Sequence, residues 1–117
     1  MNQVDATILV IEDDESIREN IAEMLTDEGF AVLVAENGIS GLKIAQENHP
    51  NLILCDIMMP QLDGYGVLTA LRKKPDTELI PFIFLTARAD RTDQRTGMKL
   101  GADDYVTKPF SRGDHLE

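Results

Sequence analysis

The amino-acid sequence predicts an α/β fold, a five-stranded parallel sheet covered by helices on both faces. Three observations carry that reading. Strand and helix signals alternate strictly between Thr7 and Thr107. The strand signals are short, unbroken, β-branched-rich apolar runs, as expected where both faces of a strand are buried. The residues that follow those runs are carboxylates, a hydroxyl and an ammonium, so one rim of the sheet collects most of the chemistry.

Thr7-Ile-Leu-Val-Ile11 is the first strand. Ile17, Ile21, Met24 and Leu25 then recur at helical spacing, with Asp14 or Ser16 able to cap the start and Gly29 ending the segment. Ala31-Val-Leu-Val-Ala35 is the second strand. Ile39, Leu42 and Ala45 mark a second helix that stops before Pro50. Leu52-Ile-Leu-Cys55 is a third strand running into Asp56, and a loop with Pro60 and Gly64 leads to a helix with Val67, Leu68 and Leu71 on one face. Pro81-Phe-Ile-Phe-Leu85 is the fourth strand. Asp90 to Leu100 reads as a helix with few apolar residues, chiefly Met98 and Leu100, and is expected to be weakly held. Tyr105-Val-Thr107 is a short fifth strand, more polar than the rest and expected at a sheet edge.

Composition narrows the function classes. The 117 residues fit one domain with a real core, and 43% hydrophobic with 27% charged residues is ordinary for a soluble protein. A net charge of −10 argues against nucleic acid or an anionic membrane surface as a direct partner. The single cysteine, Cys55, lies in an apolar run and reads as a buried structural thiol, so no disulfide framework is possible. No apolar stretch approaches the ~18 residues of a membrane span. The N-terminus lacks the basic-then-apolar pattern of a secretion signal, so a cytoplasmic location is expected. His49 and His115 stand alone near loops and read as surface residues.

Alternating strands and helices imply right-handed crossovers, and ligands of such sheets bind beyond the carboxyl ends of the strands. The first strand ends in Glu12 and Asp13, the third in Asp56, the fourth in Thr86 and the fifth in Lys108. Taken singly these are ordinary: Asp13 or Asp14 is more often a helix cap than a ligand, Thr86 a strand residue, Lys108 a solvated cation. Together they are not. Crowded carboxylates repel by about 4 kcal/mol at 4 Å and an effective dielectric of 20, so a proton or a cation must sit among them. All-oxygen ligation with room for water suits Mg²⁺. A carboxylate can also attack phosphorus to give an aspartyl phosphate, whose charged oxygens call for a divalent ion, an ammonium and a hydroxyl.

Four blocks of the chain resemble the signature of response regulator receivers. They are Ile8-Leu-Val-Ile-Glu-Asp-Asp14, Leu54-Cys-Asp-Ile-Met-Met-Pro60 with Asp63-Gly64, Phe84-Leu-Thr-Ala87, and Gly101-Ala-Asp-Asp-Tyr-Val-Thr-Lys-Pro-Phe110. The resemblance spans residues 7–110 in the family's order and implies a flavodoxin-like doubly wound sheet in the order 2-1-3-4-5. It implies that Asp56 accepts a phosphoryl group from a sensor histidine kinase or a histidine phosphotransfer protein. It further implies that Asp13 and Asp56 ligate Mg²⁺ with the backbone carbonyl of Met58, while Glu12, where many members have Asp, acts through water. Lys108 would pair with the phosphoryl oxygens and Thr86 hydrogen-bond one of them. Ala87 would leave the site open, and Tyr105 would be the aromatic switch. The Lys108–Pro109 bond is expected to be cis. A surface around residues 90–107 would then address a downstream effector domain or protein.

Two rivals remain at this level. A Mg²⁺-dependent phosphatase of the haloacid-dehalogenase type places a second Asp two residues after its nucleophile, where this chain has Met58. An interaction module that ignores phosphorylation would not need the filled site.

The C-terminal end departs from the resemblance. Seven residues follow Phe110, enough for about two helical turns, and Leu116-Glu117 resembles vector-derived sequence. The fifth helix is therefore expected to be truncated or missing, leaving apolar surface that either favours self-association or makes the chain notably less stable than one with a full fifth helix. Sedimentation at several concentrations, beside denaturant melts of this chain and one extended by a full fifth helix, tests this. A strictly monomeric chain with the midpoint of the longer one would refute it.

Overall fold

The apolar runs form five parallel strands: β1 (Thr7–Ile11), β2 (Ala31–Ala35), β3 (Leu52–Asp56), β4 (Phe82–Thr86) and β5 (Asp104–Thr107). They pair in the order β2-β1-β3-β4-β5, as the resemblance implies. The computed structural model describes residues 6–86 and 98–107. Helices α1 (Glu15–Asp27), α2 (Gly38–Asn48) and α3 (Gly64–Arg72) connect the first four strands. Met98 and Lys99 are helical at the end of the segment expected as a fourth helix, while residues 87–97 lie outside the described ones. So do residues 108–117, and with them the truncated fifth helix and the self-association expected from it.

Side chains alternate across a strand, and here both sides are covered. Leu9, Ile11, Ile53, Cys55, Phe82 and Phe84 pack with Ala45 of α2 and with Val67, Leu68 and Leu71 of α3. Ile8, Val10, Leu54 and Leu85 face the other way, toward Ile21 of α1. That is why the central strands read as unbroken apolar runs. Each fully buried Leu, Ile or Phe contributes roughly 1.5–3 kcal/mol. Phe84 anchors the larger core, with Phe82, Tyr65 and Tyr105 ring centroids at 5.0, 5.2 and 5.4 Å.

Local chemistry fixes the element ends. Asp14, Asn37 and Asp63 cap α1, α2 and α3, their side chains accepting from the N–H of Ile17, Ser40 and Gly66 at 3.0, 2.8 and 2.9 Å. Such caps are worth about 1 kcal/mol each. Of the two candidates for α1, Asp14 is the cap and Ser16 sits inside the helix. At the end of α3, Arg72 ties the far end of the sheet together. Its guanidinium donates to the carbonyls of Ile80 at 2.8 Å and Gly101 at 3.0 Å, and lies 3.6 Å from Asp103. Asp103 in turn accepts from the Phe82 N–H at 2.8 Å.

Two apolar residues of the helical segments sit outside the core, and one strand boundary needs correction. Ile39 is 57% exposed, so the inward stripe of α2 is Gly38, Gly41 and Ala45. The helix lies so close to the sheet that a side chain at 41 would meet Ile11, which selects small residues over Ile. The fourth strand starts at Phe82 rather than Pro81, which has no N–H to donate, and runs on to include Thr86. Met98 is half-exposed, leaving Leu100 as the apolar anchor of its segment. The fifth strand is at a sheet edge, as its polarity predicts. His49 is exposed, in a left-handed conformation (φ 48°) closing α2.

Burial separates two substitutions. Leu68→Ala removes a wholly buried side chain from α3 and is expected to cost about 2–5 kcal/mol in urea unfolding. Val34→Ala, at a position 45% exposed on edge strand β2, should cost under about 1 kcal/mol. Equal costs would contradict the burial pattern.

Candidate functional site

Parallel pairing decides where the acids meet. Ile11 is in register with Cys55, and Asp56 with Leu85, so the carboxyl ends of β1, β3 and β4 lie side by side. Glu12 and Asp13 follow β1 directly, Asp56 closes β3 and Thr86 closes β4. Carboxylate oxygens of Glu12, Asp13 and Asp56 all fall within 4.8 Å of one another. Glu12 is fully buried and Asp56 only 4% exposed, whereas Asp13 faces solvent.

The bend between β1 and α1 is held by short hydrogen bonds. The Glu12 N–H donates to Ala35 at 3.0 Å, extending the β1–β2 ladder by one residue. The Asp14 N–H donates to the Glu12 carboxylate at 3.0 Å, and Arg18 Nη1 donates to the Glu12 carbonyl at 2.9 Å. On the other side, the Gly64 N–H donates to Ile57 at 2.9 Å, closing the loop that leaves Asp56. A Cβ at Gly64 would strike the Asp56 carbonyl oxygen and lie 2.9 Å from Ile57 Cα and 3.0 Å from Phe84 Cε1. Only glycine lets α3 start this close to the Asp56 backbone. Gln61, in the same loop, has φ 71°, a conformation that costs a side-chain-bearing residue about 1 kcal/mol.

The potential at the site is negative. Burial pushes the Cys55 thiol well up, and the charges of Asp56, Glu12 and Asp63 push it further. Two oxygens bound directly to Mg²⁺ at about 2.1 Å can be no more than about 4.2 Å apart. Separations within 4.8 Å are compatible with a hard cation held by the carboxylates directly or through water. The oxygen-only donor set fits the same class of ion.

A family model described as response regulator receiver domain matches residues 8–117. The chain belongs to that family. Among relatives, it is 52% identical over 104 residues to the probable transcriptional regulator ycf27 of Cyanophora paradoxa, covering 89% of this chain and 42% of that protein. The chain thus spans about two fifths of the length of the curated relatives it matches. Among solved structures, the chemotaxis protein CheY4 of Vibrio cholerae superposes with a TM-score of 0.89 at 28% identity, covering 97% of this chain and 94% of that one. The receiver domain of the sensor histidine kinase PA1611 from Pseudomonas aeruginosa, with a magnesium ion coordinated in its active-site cleft, gives 0.84 at 31%, covering 97% and 93%.

In this receiver, the structure brings Glu12, Asp13, Asp56 and Thr86 to one rim. Met58 lies two residues past Asp56 and is 79% exposed. Tyr105 lies on β5 with its ring against Phe84, half-buried. Lys108 and Ala87, as well as the Lys108–Pro109 bond, lie outside the described residues. Arg18 was not singled out by motif. Its signal is that it is the lone cation in an otherwise acidic α1.

Removing one carboxylate tests the cation reading of this receiver. Asp13→Asn relieves repulsion and should be at least as stable as the parent without Mg²⁺. Added Mg²⁺ at ten times its dissociation constant should stabilise the parent by about 1.4 kcal/mol and the variant by much less. Thermal melts with and without Mg²⁺ decide it, and an undiminished shift in the variant would remove Asp13 from the binding set.

Proposed function

We propose that this receiver is a phosphorylation-controlled switch in which Asp56 takes a phosphoryl group in a Mg²⁺-dependent transfer. The observation that carries it is the convergence of Glu12, Asp13 and Asp56 at the carboxyl ends of adjacent parallel strands. The donor is a phosphohistidine of a sensor histidine kinase or a histidine phosphotransfer protein. An Asp56 carboxylate oxygen attacks phosphorus as the P–N bond breaks, the electron pair leaves with the imidazole, and an acyl phosphate remains.

Each side chain then has a stated part. Asp56 closes a central strand, which would fix the direction of attack. Asp13, Asp56 and the Met58 carbonyl would hold Mg²⁺, with Glu12 acting through water. When bound, that ion supplies positive charge to the phosphoryl oxygens. Lys108 would pair with a second phosphoryl oxygen and the Thr86 hydroxyl would donate to a third. Hydrolysis of the acyl phosphate resets the switch. The Met58 thioether cannot transfer a proton, which disfavours a phosphatase that turns over external substrates.

Output follows from the neighbouring strands. Thr86 is in register with Thr107, and Tyr105 lies two residues before it on β5. A pull on Thr86 toward the phosphoryl group would favour an inward Tyr105 and an altered surface over residues 90–107. The phosphoryl group biases two existing states rather than building a new fold. That surface would address an effector domain or protein; the ycf27 relatives, described as transcriptional regulators, are compatible with a DNA-binding effector carried elsewhere in a longer chain. The acidic receiver itself has no nucleic-acid or membrane surface in this reading, and a cytoplasmic location is compatible with a phosphohistidine donor. Among the described residues, no helix is long and apolar enough to cross a membrane.

Asp56→Asn keeps the shape and removes the anionic nucleophile. Incubation with acetyl phosphate and Mg²⁺ should add one labile phosphoryl group to the parent chain and none to the variant, by intact-mass measurement. Equal labelling would remove Asp56 from the role.

A further inference from the structure

Arg18 has a geometry that helix stability does not explain. It lies in the first turns of α1, where the helix dipole disfavours a cation. The N-terminus of α1 is already capped by Asp14, so Arg18 has no capping work there. Its guanidinium instead runs back past the helix start to the Glu12 carbonyl, six residues earlier, at 2.9 Å. Arg18 lines an open cleft of about 300 Å³ with Val34, Ala35, Glu36, Ser40 and Ile44, between α1, the end of β2 and α2. Arg18 is thus half-buried over the turn that carries the acids.

The consequence falls on Asp13. Glu12 is held on the N–H side by Ala35 and on the carbonyl side by Arg18, while its carboxylate takes the Asp14 N–H. The carbonyl that Arg18 holds belongs to the Glu12–Asp13 peptide unit, so its orientation sets where the Asp13 side chain starts. The hydrogen bonds described at this bend go to Glu12 and Asp14 and not to the Asp13 carboxylate. Asp13 is exposed, yet its oxygen stays within 4.8 Å of those of Glu12 and Asp56. Its placement comes from the backbone.

We propose that Arg18 is a positioning residue for the cation site, fixing the Glu12–Asp13 peptide so that Asp13 presents its carboxylate toward Asp56. This rests on the reading of the acidic cluster as a Mg²⁺ site. The alternative role for Arg18 is purely electrostatic, and it has the opposite sign. A cation beside three carboxylates competes with Mg²⁺, so deleting its charge would tighten Mg²⁺ binding. Deleting a positioning contact weakens it.

The test is a Mg²⁺ titration of the full chain followed by backbone amide NMR, with Arg18→Met and Arg18→Lys beside the parent. Arg18→Met keeps an apolar stem and loses both charge and donor; it should raise the Mg²⁺ dissociation constant about 5- to 10-fold. Arg18→Lys restores a donor and should fall between the two. Acetyl phosphate labelling at saturating Mg²⁺ should return Arg18→Met to within about 3-fold of the parent rate, because the defect is in assembling the site. Native-like amide spectra before Mg²⁺ is added establish that each variant is folded, and an Arg18→Met chain that fails this leaves Arg18→Lys to carry the comparison. Equal or tighter Mg²⁺ binding by the folded variants overturns the role of Arg18. A parent chain that shows no Mg²⁺-dependent shifts around Asp13 and Asp56 overturns the metal site itself, a distinguishable failure.

Discussion

The constraint on which the rest of the molecule depends is the parallel pairing of β1 with β3. Matching Ile11 to Cys55 brings two chain segments more than forty residues apart to a common end, one leaving through Glu12 and Asp13, the other through Asp56. Antiparallel pairing would send those acids to opposite rims. Parallel pairing requires a crossover, and the crossovers supply the helices that bury both sheet faces. Core and site are therefore products of one topological choice.

That choice stores a conflict. Like charges crowded at a buried rim oppose folding, and the apolar content of β1, β3 and β4 is what holds them together. Leu9, Val10, Ile11, Ile53, Phe82 and Phe84 are wholly buried in the strands that end at the acids. The short-range devices at the rim work in the same direction. Gly64 admits α3 against the Asp56 backbone, and Asp63 and Asp14 spend their side chains on helix caps. An acidic residue near the site is thus not automatically part of it: Asp14 and Asp63 are backbone acceptors, while Glu12, Asp13 and Asp56 form the cluster.

Much of this was legible in the sequence, for physical reasons. Continuous apolar runs announce strands buried on both faces, and the residue after each run marks the rim, so Glu12, Asp13, Asp56 and Thr86 could be placed before any coordinates. Helix faces were less legible. Ile39 looks like a core residue by hydropathy, but α2 approaches the sheet through glycine and alanine, and a close approach leaves no periodic apolar signal. Arg18 was invisible to motif because its partner is a backbone carbonyl, which any residue at position 12 would supply.

The chain contains one cysteine, and it is sealed behind the acids of the site. Burial and neighbouring negative charge keep the Cys55 thiol protonated, and thiols react as thiolates. Toward maleimides and similar reagents the folded surface is chemically blank. A single cysteine placed at an exposed position such as Leu79 would be the one group to take a fluorophore or spin label, with the native thiol left in place. The burial that shapes the rim thereby makes the molecule ready for site-specific distance measurements.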